Sequence, residues 1–178
     1  MVYMFLADGF EEIEALCPLD FLRRAGVEAK TVGIGNKVIC GSHSIKVECD
    51  MTECELDKNA PFDMIILPGG MPGSVNLDNS KTVDHFIRRA TEEDKFISAI
   101  CAAPFILGKR GLLEGKEATC YPGFEKELLG AKIGTGVVRD GKIITGCAMG
   151  KSHDFALEII EALCGKEMRE KLKKSVLY

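Results

Sequence analysis

The chain has 178 residues, of which 46% are hydrophobic and 28% are charged, with 19 glycines. This length and composition predict a single domain, residues 1–178, with a sizeable core. The net charge of −4, with both signs interspersed, provides no basic stripe for phosphate groups, so we expect no nucleic-acid partner.

The amino-terminal stretch MVYMFLADGFEE has a short apolar run without a basic leader, and no segment approaches the length of a membrane span. We therefore expect a cytoplasmic protein without a membrane partner. Most of the eight cysteines are interpreted as reduced thiols, since a domain of this size does not need disulfides. They form no CxxC pair and no zinc-finger spacing, so no metal is expected.

Strand and helix signals alternate along the chain. Compact apolar runs, typical of parallel strands covered on both faces, occur at residues 2–7, 63–68 and 95–100. Residues 11–26 and 81–94 carry apolar side chains at helical spacing, which predicts crossover helices. Pro18 predicts a kink or a late start in the first helix, because proline cannot donate a helical hydrogen bond.

Two hairpins and a further helix complete the pattern. Residues 36–50 and 136–146 predict hairpins, the second with Asp140 and Gly141 at its turn. Residues 152–165 predict an amphipathic helix. With no repeat or linker to mark a second domain, the order of elements predicts an α/β fold, a three-layer α/β/α sandwich around a mainly parallel sheet.

Cys101 stands between the strand at 95–100 and a helix-like run that ends at Gly111. Such a corner lies at the carboxyl edge of the sheet, where open α/β folds bind ligands, and near a helix N-terminus that favours a thiolate. The small residues Ala102 and Ala103 allow the close packing of a nucleophile elbow. The alternative is that Cys101 is one more small buried hydrophobic residue.

Two other segments reach the same edge. In ILPGG, the glycines leave room for backbone N–H groups to approach a ligand, as in an oxyanion hole. In ADGFEEIEA, Glu11 and Glu12 fit an exposed helix start whose charges complement the helix dipole. Glu14 instead falls on the inward-facing stripe of the helix with Phe10 and Cys17, which indicates a functional carboxyl group.

The segments GFEEIEA, PLDFLRRAG, ILPGGMPGSVNL, AICAAP and FALEIIEALCGKE, in this order, resemble the DJ-1/ThiJ/PfpI superfamily, in its DJ-1-like branch. The resemblance covers essentially the whole chain. It implies a flavodoxin-like domain, a homodimer, no cofactor and an elbow cysteine at Cys101. Glu14 matches the glutamate whose carboxyl group hydrogen-bonds that cysteine. Gly69, Gly70 and Ala102 match the positions whose backbone amides surround it.

Three positions depart from the family pattern. Tyr121 stands where many members have a histidine beside the cysteine, and it cannot act as a base near neutral pH. His43 stands where relatives place an arginine from the neighbouring subunit, and Cys147 occupies a position that resembles another family arginine. Tyr121 and His43 are therefore taken as accessory residues. We expect a dimer with the first helix and residues 38–46 near its interface, and with His43 directed towards the Glu14 of the other chain.

The resemblance implies two functions that use Cys101 and Glu14. One is cofactor-independent glyoxalase or deglycase chemistry on a small aldehyde, in which Cys101 adds to an α-oxoaldehyde and Glu14 moves a proton. The other is a non-enzymatic sensor of oxidants, or a chaperone, that works through oxidation of Cys101. Peptidase chemistry is disfavoured because the branch with that activity has a histidine where Ala102 stands. An amidotransferase would need a His-x-Glu pair, and Phe155 follows His153-Asp154 instead.

Either function would use a reactive thiol. The helix position and a protonated Glu14 predict a Cys101 pKa of roughly 3.5 to 7.5, against about 8.5 for a free cysteine. Mild peroxide is expected to oxidise Cys101 first and to stop mainly at the sulfinate, because Glu14 can hydrogen-bond that anion. A disulfide with Cys120 is the alternative outcome.

Overall fold

A seven-stranded sheet forms the centre of the computed structural model, which describes residues 1–178. The strands are β1 (Val2–Leu6), β2 (Ala29–Gly33), β3 (Val38–Cys40), β4 (Lys46–Glu48), β5 (Met51–Thr52), β6 (Met64–Leu67), β7 (Phe96–Ile100), β8 (Glu117–Ala118), β9 (Lys132–Ile133), β10 (Val137–Asp140) and β11 (Ile143–Gly146). The helices are α1 (Glu12–Arg24), α2 (Gly73–Asp78), α3 (Lys81–Glu92), α4 (Pro104–Lys109), α5 (Ser152–Cys164) and α6 (Lys166–Ser175). None of these helices is long and apolar enough to cross a bilayer.

The strand order in the sheet is β10-β11-β7-β6-β1-β2-β5, and every pairing is parallel except that of β10 with β11. The three strands predicted from apolar runs, β1, β6 and β7, lie side by side at its centre. Each is almost completely buried, because helices cover both faces. The mainly parallel sheet is therefore confirmed.

Two hydrophobic clusters fill the space on either side of the sheet. One contains the apolar residues of α3 and α4, with Phe86 and Ile106 fully buried. The other contains those of α1 and α5, with Leu22 and Phe155 fully buried. Helices thus lie on both faces, and the predicted three-layer α/β/α sandwich is confirmed.

Helix α1 runs through Pro18 without a break, so the predicted late start at this residue is wrong. The missing N–H removes only the bond that would go to the carbonyl of Glu14, four residues earlier. The helix begins after Glu11, whose side chain accepts a hydrogen bond from the Glu14 N–H at 2.7 Å. This cap fixes the first turn, from which Glu12 and Glu14 project.

The hairpin predicted at 136–146 is present, and its role in the fold is larger than expected. β11 pairs antiparallel with β10 and also parallel with β7, with Gly146 opposite Ile100. The hairpin is therefore the edge of the main sheet. Its carboxyl end lies beside Cys101. The hairpin predicted at 36–50 forms a separate two-stranded sheet, β3 with β4.

Candidate active site

Cys101 lies at the turn that follows β7, as predicted for a nucleophile elbow. Its φ of +63° is in the left-handed region, which costs energy for a residue with a side chain. Backbone hydrogen bonds hold the turn on both sides. The Cys101 N–H donates to the Gly146 carbonyl at 2.8 Å, and the Cys101 carbonyl accepts from the Tyr121 N–H at 2.7 Å. The side chain is half-buried and packs towards α1 and α5.

Glu14 is fully buried and lies within hydrogen-bonding reach of the Cys101 side chain. Its Oε2 accepts a hydrogen bond from the Gly69 N–H at 3.0 Å, while its Oε1 has no N–H or O–H donor. Burial raises the pKa of Glu14 from its ordinary value of 4.5 to about 7. A buried carboxyl group that titrates near neutral pH can both accept and return a proton.

The glycines of the β6 loop make this approach possible. A Cβ at Gly69 would lie 2.4 Å from Glu14 Oε2 and 2.6 Å from Cys101 Cβ, so no larger residue fits between the two. Gly70 has a φ of +90°. The backbone N–H groups of Gly70 and Ala102 both contribute hydrogen bonds to the Cys101 sulfur that favour the thiolate. All three predicted backbone positions therefore surround the candidate nucleophile.

The predicted low pKa of Cys101 is wrong. Burial raises it first, and the charge and hydrogen bonding of Glu14 raise it further, to about 12, against the smaller lowering by the Ala102 and Gly70 amides. The helix that should have favoured the thiolate has only six residues and begins at Pro104, three positions beyond the sulfur. Its dipole cannot offset the desolvation of a half-buried sulfur.

The two side chains therefore act as one ionising unit. Above about pH 7 the pair carries one negative charge, which lies on the Glu14 carboxylate or, after proton transfer, on the Cys101 sulfur. A carboxylate leaves the buried Oε1 without a donor. The higher pKa of Cys101 keeps the proton on the sulfur and the charge on Glu14 in the resting pair.

The two accessory residues occupy different surroundings. Tyr121 contacts the site through its backbone N–H, and its side chain is 47% exposed. The His43 ring Nδ1 lies 2.8 Å from Oε2 of Glu12 in the same chain, and the His43 N–H donates to Glu12 Oε1 at 2.7 Å. Within one chain the structure therefore pairs His43 with Glu12 rather than with Glu14. An approach to the Glu14 of a second chain stays a prediction.

The interpretation of Glu12 as an exposed helix-start residue is wrong, because the residue is only 2% exposed. The loop between β3 and β4 folds over the start of α1, where a Cβ at Gly41 would lie 2.3 Å from Glu12 Oε1. Glu11, Glu12 and His43 bring three potential metal-ligand atoms within 4.8 Å of one another. The Glu12 oxygens already accept hydrogen bonds from this loop, so internal contacts account for the cluster.

The largest cavity, of about 670 Å³, does not contain the elbow. Its lining includes Lys95, Ile97, Lys142 and Ile143, which lie at the amino ends of β7 and β11. Cys101 is at the opposite, carboxyl edge, where parallel α/β sheets bind their ligands. The arrangement of chemical groups, and not the cavity volume, therefore identifies the candidate site.

Comparisons with known proteins all find similarity to one protein family. A model described as DJ-1/PfpI family matches residues 1–162. The chain is 34% identical over 178 residues to Protein dj-1beta of Drosophila melanogaster, covering 98% of this chain and 95% of that protein. It is 36% identical over 166 residues to Protein DJ-1 homolog B of Arabidopsis thaliana, covering 91% of this chain and 38% of that longer protein.

Two further similarities concern activity and structure. A protein of Pyrococcus horikoshii named as a deglycase is 32% identical over 170 residues, which cover 92% of this chain and 99% of that protein. The solved structure of Toxoplasma gondii DJ-1, described as oxidized, superposes with a TM-score of 0.95 at 33% identity, covering 99% of this chain and 97% of that chain.

Proposed function

The chain belongs to the DJ-1/PfpI family, and from this premise we propose that it acts on reactive α-oxoaldehydes through Cys101 and Glu14. One observation carries the proposal: a fully buried carboxyl group with an unpaired oxygen lies within hydrogen-bonding reach of an elbow cysteine. The similarity to a protein named as a deglycase supports the substrate class. A cytoplasmic location is part of the same proposal.

The proposed reaction begins when Cys101 sulfur adds to the aldehyde carbon of methylglyoxal and forms a hemithioacetal. Glu14 removes the proton from that carbon and returns it to the neighbouring carbon, which yields a lactyl thioester. Water then hydrolyses the thioester, releasing lactate and the thiol. One carbon is oxidised as the next is reduced, so these steps require no cofactor.

The proposed roles follow from the positions of the groups. Glu14 is the proton carrier, because its pKa of about 7 lets it accept and donate near neutral pH. The amides of Gly70 and Ala102, which hydrogen-bond the sulfur, are placed to stabilise negative charge that develops beside it. Because Ala102 and not a histidine follows Cys101, Glu14, which hydrogen-bonds the Cys101 side chain, is the proposed base.

The direct test follows the conversion of methylglyoxal to lactate by the purified protein. Wild type is expected to form lactate, and Cys101→Ala is expected to form none above the uncatalysed rate, because no sulfur is left to make the thioester. Cys54→Ala, at an exposed cysteine, is the matched control. Equal lactate formation by Cys101→Ala and wild type would contradict the proposal.

A second candidate function is sensing of oxidants through Cys101. The observation that favours it is the presence of further free cysteines next to the residues that hold the elbow backbone: Cys147 follows the residue that accepts the Cys101 N–H, and Cys120 precedes the residue that donates to its carbonyl. All these cysteines are free. Oxidation of Cys101 would change the charge and size of the group beside Glu14.

We also propose a homodimer with the β3–β4 hairpin and the start of α1 near its interface. The hairpin carries Val38 and Ile45, which are 51% and 54% exposed, and α1 carries Ile13, which is 46% exposed. The contact between Glu12 and His43 joins these two elements. Large apolar side chains exposed on adjoining elements are typical of an interface.

Sedimentation equilibrium at micromolar concentration is expected to give twice the 19.4 kDa chain mass. The double variant Val38→Asp, Ile45→Asp is expected to shift the population towards the single-chain mass, because each carboxylate would be desolvated in the interface. Leu129→Asp, at a residue 58% exposed in another segment, is the control. A wild-type protein of single-chain mass would contradict the dimer.

A further inference from the structure

A groove of about 300 Å³ lies between the loop that follows β6 and the segment that follows β8. Its lining is mainly apolar and consists of Met71, Val75, Phe105, Lys109, Gly123, Phe124 and Glu127. The Phe105 and Phe124 rings stack with their centroids 6.2 Å apart and form the floor. Phe105 is buried, whereas Met71 and Val75 are exposed and form the rim. This volume and lining are typical of the smaller ligand pockets in proteins.

The rim of the groove continues directly from the loop that contacts the candidate nucleophile. Met71 follows Gly70, whose N–H hydrogen-bonds the Cys101 sulfur. The Gly70 carbonyl accepts the Ser74 N–H at 2.9 Å, so the first turn of α2, which carries Val75, is anchored on the same glycine. The two apolar side chains of the rim are therefore held in place relative to the elbow.

The floor of the groove is connected to the other side of the elbow turn. The Phe105 N–H donates to the Ala102 carbonyl at 3.1 Å, and the Phe124 N–H donates to the Tyr121 carbonyl at 3.1 Å. Ala102 follows Cys101 in the chain, and the Tyr121 N–H donates to the Cys101 carbonyl at 2.7 Å. Each ring is thus one backbone hydrogen bond away from a residue that follows or holds the nucleophile.

The charged residues of the groove leave its floor apolar. Lys109 Nζ pairs with Asp78 Oδ2 at 3.0 Å and lies 4.6 Å from the centroid of the Phe105 ring. Glu127 is exposed to solvent. A floor made of two stacked rings favours a flat, uncharged group, because aromatic rings gain energy from contact with one another beyond the burial of their surface.

We propose that this groove binds the substituent of the α-oxoaldehyde, and that the preferred substrates carry an aromatic ring where methylglyoxal has a methyl group. The inference rests on the proposed function, because it concerns the substrate of the same reaction. With phenylglyoxal, Cys101 sulfur adds to the aldehyde carbon, and Glu14 moves the proton of that carbon to the neighbouring carbon, which carries the ring. Water then hydrolyses the thioester and releases mandelate and the thiol.

The test compares kcat/KM for phenylglyoxal and methylglyoxal. Wild type is expected to have the higher value with phenylglyoxal. Met71→Ala removes an apolar contact and Val75→Phe fills the groove, so each should lower the ratio of phenylglyoxal to methylglyoxal kcat/KM about ten-fold, a discrimination typical of hydrophobic pockets. Ile133→Ala, at an exposed residue of β9 outside the groove, should keep the wild-type ratio. Circular dichroism checks that each variant is folded.

A second measurement requires no turnover. The alkylating reagents 2-bromoacetophenone and bromoacetone differ only in the phenyl or methyl group on the carbonyl carbon, and neither needs a proton carrier. Peptide mass mapping gives the rate of alkylation at Cys101 and, as an internal reference, at the exposed Cys54. Relative to Cys54, Cys101 of wild type should prefer the phenyl reagent, and Met71→Ala and Val75→Phe should lose this preference.

Two results would overturn the inference alone. One is a wild-type protein that turns over methylglyoxal with a higher kcat/KM than phenylglyoxal. The other is a set of turnover and alkylation ratios that are the same in wild type and in both groove variants. If wild type forms neither mandelate nor lactate, the proposed function fails, and the alkylation ratios then decide whether the groove binds an aromatic ring beside Cys101.

Discussion

Glu14→Gln is expected to lower kcat/KM for methylglyoxal by about 10²- to 10⁴-fold, the range that a positioned general acid–base group contributes. The amide has nearly the shape of the carboxyl group and can still accept the Gly69 hydrogen bond, but it cannot remove or return a proton. The measurement is steady-state lactate formation. The wild-type rate should increase as the pH rises through about 7, because proton removal requires the ionised pair.

Tyr121→Phe is the control for this substitution. The tyrosine contacts Cys101 through its backbone N–H, which phenylalanine retains, so its activity should stay much closer to that of wild type. Unchanged lactate formation in Glu14→Gln would discard the glyoxalase reaction and would leave oxidant sensing as the function of the site.

The same substitution is expected to stabilise the protein relative to wild type, and this difference should grow as the pH rises. In wild type the folded-state pKa of Glu14 is raised to about 7, so its favourable contribution is complete below the ordinary value of 4.5 and is lost as the pH rises to 7. Glutamine has no such loss. The free energy of unfolding of Glu14→Gln, relative to that of wild type, should therefore increase by about 3 kcal/mol between about pH 4 and pH 8.

Urea unfolding at several pH values measures this difference, and Glu12→Gln is the control of opposite sign. Burial raises the pKa of Glu12, but its hydrogen bonds with His43 outweigh burial and lower it overall. Hydrogen bonding to Glu12 raises the pKa of His43. Glu12→Gln should therefore destabilise the protein, most strongly between about pH 5 and pH 6.5, where both groups are charged. A stability difference for Glu14→Gln that does not change with pH would contradict the assignment.

Together, the two expected effects of Glu14→Gln are a loss of activity and an increase in stability. At neutral pH and above, the carboxyl group destabilises the fold that holds it, and it is proposed to supply the proton transfer that the reaction needs. Gain of stability with loss of activity is the expected behaviour of a group kept for chemistry. A loss of both stability and activity would indicate a structural role for Glu14 instead.

The central strands and the pair Cys101 and Glu14 could be predicted from the sequence because local patterns reveal them. A buried strand that ends at a cysteine, and a carboxyl group on an apolar helical stripe, are visible within a few residues. Helix α6 was not predicted, since Leu172 is its only buried residue and the apolar period is weak. β2 was also missed, because its five residues carry little apolar alternation.

The remaining features depend on contacts between distant residues. Glu12 is buried by a loop about 30 positions away, as its contact with His43 shows. The position of Gly146, whose carbonyl holds the Cys101 N–H, depends on the register of β11 against β7. The raised pKa of Cys101 reflects burial by several elements, which a position near a helix N-terminus does not reveal. Long-range packing therefore sets the properties that the local patterns could not give.

The left-handed backbone at Cys101 also affects how this position can vary. With a φ of +63°, glycine would adopt the turn without steric cost, and asparagine would do so more easily than most residues. In a library of variants sorted only for folding, glycine would be enriched at position 101. In a library sorted for reaction with electrophiles, only a residue with a nucleophilic side chain would survive. The two sorting criteria thus favour different residues at one site, so the cysteine marks a position where chemistry has outweighed backbone preference.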